Sequence, residues 1–194
     1  MPNTLSSLPK RKFFILGLIS LGALLFSCPL AYSRDMSAPE MSPLNDWIYR
    51  GTQPKEETFL KLKKKGIRTV INFRDERDKI EWEKAKVEAL GMKYISLPWN
   101  ITKPVKPALL DAFFKVLDEP KNRPVFFHCK WGRDRSGVMA VLALMRYEKM
   151  SEEQAREIAL ETIRPHWRYR HSVNEKIKFF LETCASEFSP SSSS

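Results

Sequence analysis

The chain has 194 residues, 43% of them hydrophobic and 29% charged, enough for one well-filled core and too few for two comfortable domains. Three cysteines exclude a disulfide framework. The 33 basic and 23 acidic residues give a formal charge of +10, which favours anionic partners; no nucleic-acid-binding signature accompanies it, so no nucleic-acid site is expected.

In chain order, residues 1–33 read as an export leader: Lys10-Arg11-Lys12 precedes the uncharged run Phe13 to Phe26, and small residues follow. Ala31-Tyr32-Ser33 fits a small-x-small cleavage site, and Leu25-Phe26-Ser27-Cys28 fits a bacterial lipobox in which Phe26 and the following Pro29 are atypical. An uncleaved anchor is the third option. The expected location is therefore the bacterial periplasm or a membrane, with attachment through the N-terminus or as a lipoprotein. Residues 34–45 read as a linker, 46–186 as the folded domain and 187–194 as a loose, serine-rich tail.

Within the domain, strands are expected at Asp46–Arg50, Ile67–Phe73, Met92–Pro98 and Val125–Phe127. Between them the spacing predicts helices over Lys55–Lys65, with Phe59 and Leu62 inward and Gly66 as its stop, Lys79–Leu90, and Pro107–Leu117 through Leu110, Phe113, Phe114 and Leu117. Three more helices are expected at Ser136–Lys149, Ser151–Ile163 and Ser172–Cys184, where Cys184 reads as an ordinary buried residue. The alternation argues for an α/β fold with a mainly parallel central sheet flanked by helices and a ligand site at the strands' C-terminal ends.

One such end carries His128-Cys129-Lys130-Trp131-Gly132-Arg133-Asp134-Arg135-Ser136-Gly137, a phosphate-binding loop between a strand and a helix. Unpaired peptide N–H groups at a helix N-terminus suit an anion, and the same field favours a thiolate at Cys129. Cys129 would attack phosphorus. The planar fork of Arg135 would grip two phosphoryl oxygens, more strongly as charge spreads over them in the transition state. Gly132 and Gly137 would allow backbone torsions and close approach. Ser136 could hydrogen-bond the sulfur. His128, on the strand before the cysteine, should point away and order the loop.

This loop resembles the signature of the cysteine-dependent protein tyrosine phosphatase superfamily, in its dual-specificity-like branch. Tyr49-Arg50-Gly51-Thr52-Gln53-Pro54, Gly66–Arg74 and Gly91-Met92-Lys93-Tyr94 resemble the N-terminal half of the small bacterial and fungal members. The resemblance implies a phosphomonoester hydrolase with a phosphocysteine intermediate and no cofactor or metal. Its substrates would be phosphotyrosine or phosphoserine proteins, inositol phosphates or phosphoinositides. It assigns Cys129, Arg135 and Ser136 catalytic roles, Ser136 easing sulfur's departure, and gives His128, Lys130, Trp131, Gly132, Arg133 and Gly137 to phosphate or substrate binding. Many relatives draw a general acid from the loop that here reads Leu97-Pro98-Trp99-Asn100-Ile101-Thr102-Lys103-Pro104, which has none. Asp134 is the substitute, because a bound phosphate would raise its tendency to hold a proton, unless it merely pairs with Arg133 or Lys130. Asp75, in the charged run Arg74–Asp78 that reads as a solvated loop, is the weaker candidate.

Lys130, Trp131 and Arg133 are expected to project and set substrate choice, the two cations favouring a multiply phosphorylated ligand. Arg164, His166, Trp167, Arg168, Arg170 and His171 form a basic aromatic cluster that either lines the same mouth or is solvated. Two alternatives compete: a rhodanese-like sulfurtransferase, and an exported phosphate-binding module that has lost catalysis.

Overall fold

The computed structural model describes residues 39–103, 105–161 and 175. In chain order it holds β1 (Ser42–Pro43), β2 (Ile48–Gly51), α1 (Glu56–Lys64), β3 (Thr69–Asn72), α2 (Arg77–Ala89), β4 (Lys93–Ser96), α3 (Pro107–Asp118), β5 (Val125–His128), α4 (Asp134–Tyr147) and α5 (Glu152–Glu161). The sheet order is β1-β2-β5-β3-β4, with β1 antiparallel to β2 and the other strands parallel. This is the expected α/β architecture.

Every residue of β2, β3 and β5 is buried, as a parallel sheet covered on both faces requires. Their side chains alternate between two cores. Ile48, Ile71, Val125 and Phe127 enter one, with Leu110, Phe113, Phe114 and Leu117 of α3 and the buried residues of α4 and α5. Tyr49, Val70 and Phe126 enter the other, with Phe59 and Leu62 of α1 and Val87 of α2. Phe73, Phe113 and Phe127 meet with ring centroids 5.4 to 5.9 Å apart in steep edge-on contacts. Each such buried ring contributes about 1.5–3 kcal/mol from burial alone. In α4 residues 136 to 144 are all buried, so this helix is enclosed rather than merely striped.

The supposed linker 34–45 requires correction at its end, because β1 lies within it: Ser42 pairs with Arg50 and Pro43 with Tyr49. Glu40 is also bonded to Lys61 at 3.0 Å. Two residues, one of them proline, are too few to show a strand's alternation, and proline is tolerated on such an edge. Gly51 permits this arrangement, since a Cβ there would lie 2.0 Å from the Glu40 carbonyl oxygen. The leader, the helix expected at Ser172–Cys184 apart from helical Glu175, the basic aromatic cluster from Arg164 and the tail lie outside the described residues.

Candidate active site

The central strand β5 ends at His128 and hands the chain to Cys129, which is 3% exposed. The loop turns through Gly132, whose φ of 65° suits a residue without a Cβ, and enters α4 at Asp134. Neighbouring strand ends fix it: the Phe73 amide donates to the His128 carbonyl at 3.0 Å and the Gln53 amide to the Lys130 carbonyl at 3.3 Å. Cys129 thus sits between the end of a parallel strand and a helix N-terminus, the expected anion site.

Ser136 Oγ lies 3.4 Å from Cys129 Sγ, so the expected hydroxyl–sulfur contact is present. Arg135 is gathered in by one nitrogen: its Nη1 donates to Asp75 Oδ1 at 2.8 Å, to the Phe73 carbonyl at 3.1 Å and to the Trp99 carbonyl at 3.1 Å. It therefore ties together the loops that leave β3 and β4. The loop without an acid contributes a backbone carbonyl instead of a carboxylate.

His128 does not face a ligand, and its place among the phosphate-binding residues is corrected. The ring is fully buried and stacked on Phe126, with Nε2 2.6 Å from Glu83 Oε1 and Nδ1 3.2 Å from the Cys129 carbonyl oxygen. A carbonyl can only accept, so Nδ1 carries a proton and holds that carbonyl inward. The loop's N–H groups are then left for an anion. Glu83, also fully buried, accepts from Asn72 Nδ2 at 2.9 Å and Gln53 Nε2 at 2.8 Å. Gln53 Oε1 accepts from Arg74 Nη1 at 2.9 Å, and Arg74 forks onto Glu76 at 2.8 and 3.1 Å. That fork holds the Glu76 carboxyl down at about 2, against an ordinary 4.5. Buried Arg50 donates from Nη2 to the Ala159 carbonyl; burial lowers its pKa to about 10, partly opposed by the nearby Cys129.

Lys130 and Trp131 are exposed, with Lys130 Nζ 5.5 Å from the Trp131 ring centroid. Arg133 does not project as expected: its side chain is 11% exposed and lies 3.8 Å from Asp134 Oδ2. Gly137 is a buried residue of the first turn of α4, so the loop's left-handed torsion belongs to Gly132 and not to Gly137. The run Arg74–Asp78 is not simply solvated, because Arg74 is 6% exposed and Asp75 reaches Arg135. Glu83 and Arg50 were not singled out by the sequence. Glu83 falls four residues before inward Val87 on α2, a polar residue on a buried stripe, which is the one signal that marks it.

Residues 32–175 match the family described as DSP-PTPase phosphatase fused to NAD+ kinase. Inositol diphosphatase DSP3 of Arabidopsis thaliana is 32% identical over 116 residues, which are 56% of this chain and 56% of that protein, so the match spans little more than half of that relative's length. Phosphatidylglycerophosphatase and protein-tyrosine phosphatase 1 of Mus musculus is 29% identical over 155 residues, 70% of this chain and 76% of that protein. Among solved structures, a putative phosphatase of Shewanella putrefaciens CN-32 superposes with a TM-score of 0.61 at 20% identity, covering 79% of this chain and 94% of that one. The catalytic core of the PP-IP phosphatase SIW14 of S. cerevisiae gives 0.57 at 16% identity over 78% and 93%. These likenesses confirm the fold, and the family match covers most of the chain including the Cys129–Arg135 loop. The chain belongs to the DSP-PTPase family, within the cysteine-dependent protein tyrosine phosphatase superfamily.

Proposed function

We propose that this protein hydrolyses phosphomonoesters through a phosphocysteine intermediate on Cys129. The observation that carries the reading is the loop itself: a buried sulfur at a helix N-terminus, 3.4 Å from Ser136 Oγ, followed by an arginine anchored on both adjoining loops. The loop amides and the guanidinium of Arg135 would bind three phosphoryl oxygens and leave phosphorus facing Sγ. Attack forms the S–P bond and breaks the ester P–O bond. Water then attacks phosphorus, the S–P bond breaks, and the Ser136 hydroxyl donates to the departing thiolate. No step uses a metal.

The substrate class favoured is a multiply phosphorylated inositol or lipid headgroup, ahead of phosphotyrosine or phosphoserine proteins. Exposed Lys130 of the loop supplies a cation for a second phosphate; one relative is named an inositol diphosphatase and another both a phosphatidylglycerophosphatase and a protein-tyrosine phosphatase. The leader of residues 1–33 would deliver the enzyme out of the cytoplasm, a reading checked by the mass of the mature N-terminus. The central test is phosphate release by the full chain from inositol phosphates, phosphoinositides and phosphotyrosine peptides in the presence of EDTA, beside Cys129→Ser. Turnover by the parent and none by the variant is expected. Equal release by both proteins would refute the phosphocysteine, and thiosulfate turnover without phosphate release would favour a sulfurtransferase.

A further inference from the structure

The oxygen that leaves phosphorus needs a proton, yet residues 97–104 hold no acid. We propose that Asp75, on the loop between β3 and α2, is the general acid, and that Arg135 couples its proton to substrate binding. This rests on the phosphatase reading above and adds the donor which that reading lacks.

The geometry favours Asp75 over its neighbours. Its Oδ1 lies 2.8 Å from Arg135 Nη1, the guanidinium that must grip phosphate, and its side chain is 45% exposed, open to exchange of a proton with water. The charged groups around it are Arg135 of α4 and Arg74 and Glu76 of its own loop, while the loop after β4 presents the Trp99 carbonyl. In the empty site Arg135 balances the Asp75 carboxylate. A bound phosphate dianion takes up the guanidinium fork and brings two negative charges beside the same carboxylate. Both changes favour the protonated carboxyl. Glu76 cannot serve, because the Arg74 fork keeps it ionised and Arg74 is itself buried and held by Gln53. Glu83 is buried beneath the loop on His128. Asp134 stands in the first turn of α4 and lies 3.8 Å from Arg133, whereas Asp75 is bonded directly to the Arg135 guanidinium that must grip the phosphate.

In the first half-reaction the S–P bond forms, the ester P–O bond breaks, and the leaving oxygen takes the proton of Asp75. In the second, the Asp75 carboxylate takes a proton from the attacking water, a P–O bond forms, and Cys129 leaves as thiolate. The enzyme returns to its starting state with one water consumed.

The experiment compares the full chain, Asp75→Asn, Asp134→Asn and Cys129→Ser on 4-nitrophenyl phosphate, whose leaving anion is stable without a proton, and phenyl phosphate, whose leaving oxygen needs one. Asp75→Asn should lower kcat on phenyl phosphate by about 10²–10⁴-fold, lower it on 4-nitrophenyl phosphate by about tenfold or less, and flatten the basic limb of the kcat–pH profile. Asp134→Asn should leave the ratio between the two substrates unchanged. Equal losses on both substrates for Asp75→Asn would mean that it only positions Arg135 and would overturn the assignment, as would a substrate-dependent loss in Asp134→Asn. Either result leaves the phosphatase reading standing. Only a parent without turnover, or an active Cys129→Ser, would remove that reading as well.

Discussion

Replacing Glu83 with alanine should unfold this protein at much lower denaturant, whereas glutamine should cost far less. The carboxylate is fully buried and meets three groups: His128 Nε2 at 2.6 Å, Gln53 Nε2 at 2.8 Å and Asn72 Nδ2 at 2.9 Å. Alanine removes an acceptor from all three, and two of them, His128 and Asn72, are fully buried. Unmet buried donors cost about 1–3 kcal/mol each, and breaking a buried ionic pair costs about 3–5 kcal/mol, so a loss of about 3–5 kcal/mol is expected. That is a large part of the roughly 5–15 kcal/mol that holds a domain together. Glutamine keeps all three groups paired and leaves only one amide hydrogen of its own unmet. Its amide nitrogen donates to Nε2 of a neutral His128 that keeps its proton on Nδ1 for the Cys129 carbonyl, while its oxygen accepts from Gln53 and Asn72. The expected loss is about 1 kcal/mol, well short of that for alanine. Urea unfolding at pH 7, followed by tryptophan fluorescence, would show a midpoint about 2 M lower for Glu83→Ala with an unchanged slope near 2 kcal/mol/M. A glutamine variant as unstable as alanine, or an alanine variant within about 1 kcal/mol of the parent, would refute the account of this network.

Ser136→Ala removes the hydroxyl 3.4 Å from Sγ and should slow breakdown of the phosphocysteine by about 10–100-fold, the worth of a hydrogen bond to a charged group; acid quenching during turnover should trap phosphorylated chain that the parent does not accumulate. Glu76 titrates at about 2 in the fold, mainly through its hydrogen bonds from Arg74, and at an ordinary 4.5 unfolded. Its contribution is thus complete above about pH 4.5 and fades as pH falls through about 2. Glu76→Gln should accordingly narrow the difference in urea midpoint between neutral and acidic solution, and an unchanged difference would count against the Arg74 fork.

Much of the architecture is legible because packing writes it into spacing. Leu110, Phe113, Phe114 and Leu117 recur on one face of α3, and all four are buried. The strand–loop–helix frame around Cys129 is equally plain, since an apolar run, a glycine turn and an apolar helix follow one another. What the sequence hides is of two kinds. Trp99 and Phe73 hold Arg135 through backbone carbonyls, which leave no mark on residue identity. Arg74, Glu83 and Arg50 are charged residues whose inward direction depends on partners far along the chain, so each looks solvated until the fold brings those partners together. Asp75 was in view, but only the pairing with Arg135 separates it from the surrounding charges.

The bare α-carbon at Gly51 reaches beyond its own turn. Any larger residue there would push the Glu40 carbonyl away and peel β1 from β2. The outer margin of β2 would then present unpaired amides and carbonyls along a strand whose four residues are otherwise all buried, a template for sticking to another molecule. Two hydrogen atoms at position 51 thus guard the solubility of the protein, quite apart from anything that happens at the sulfur.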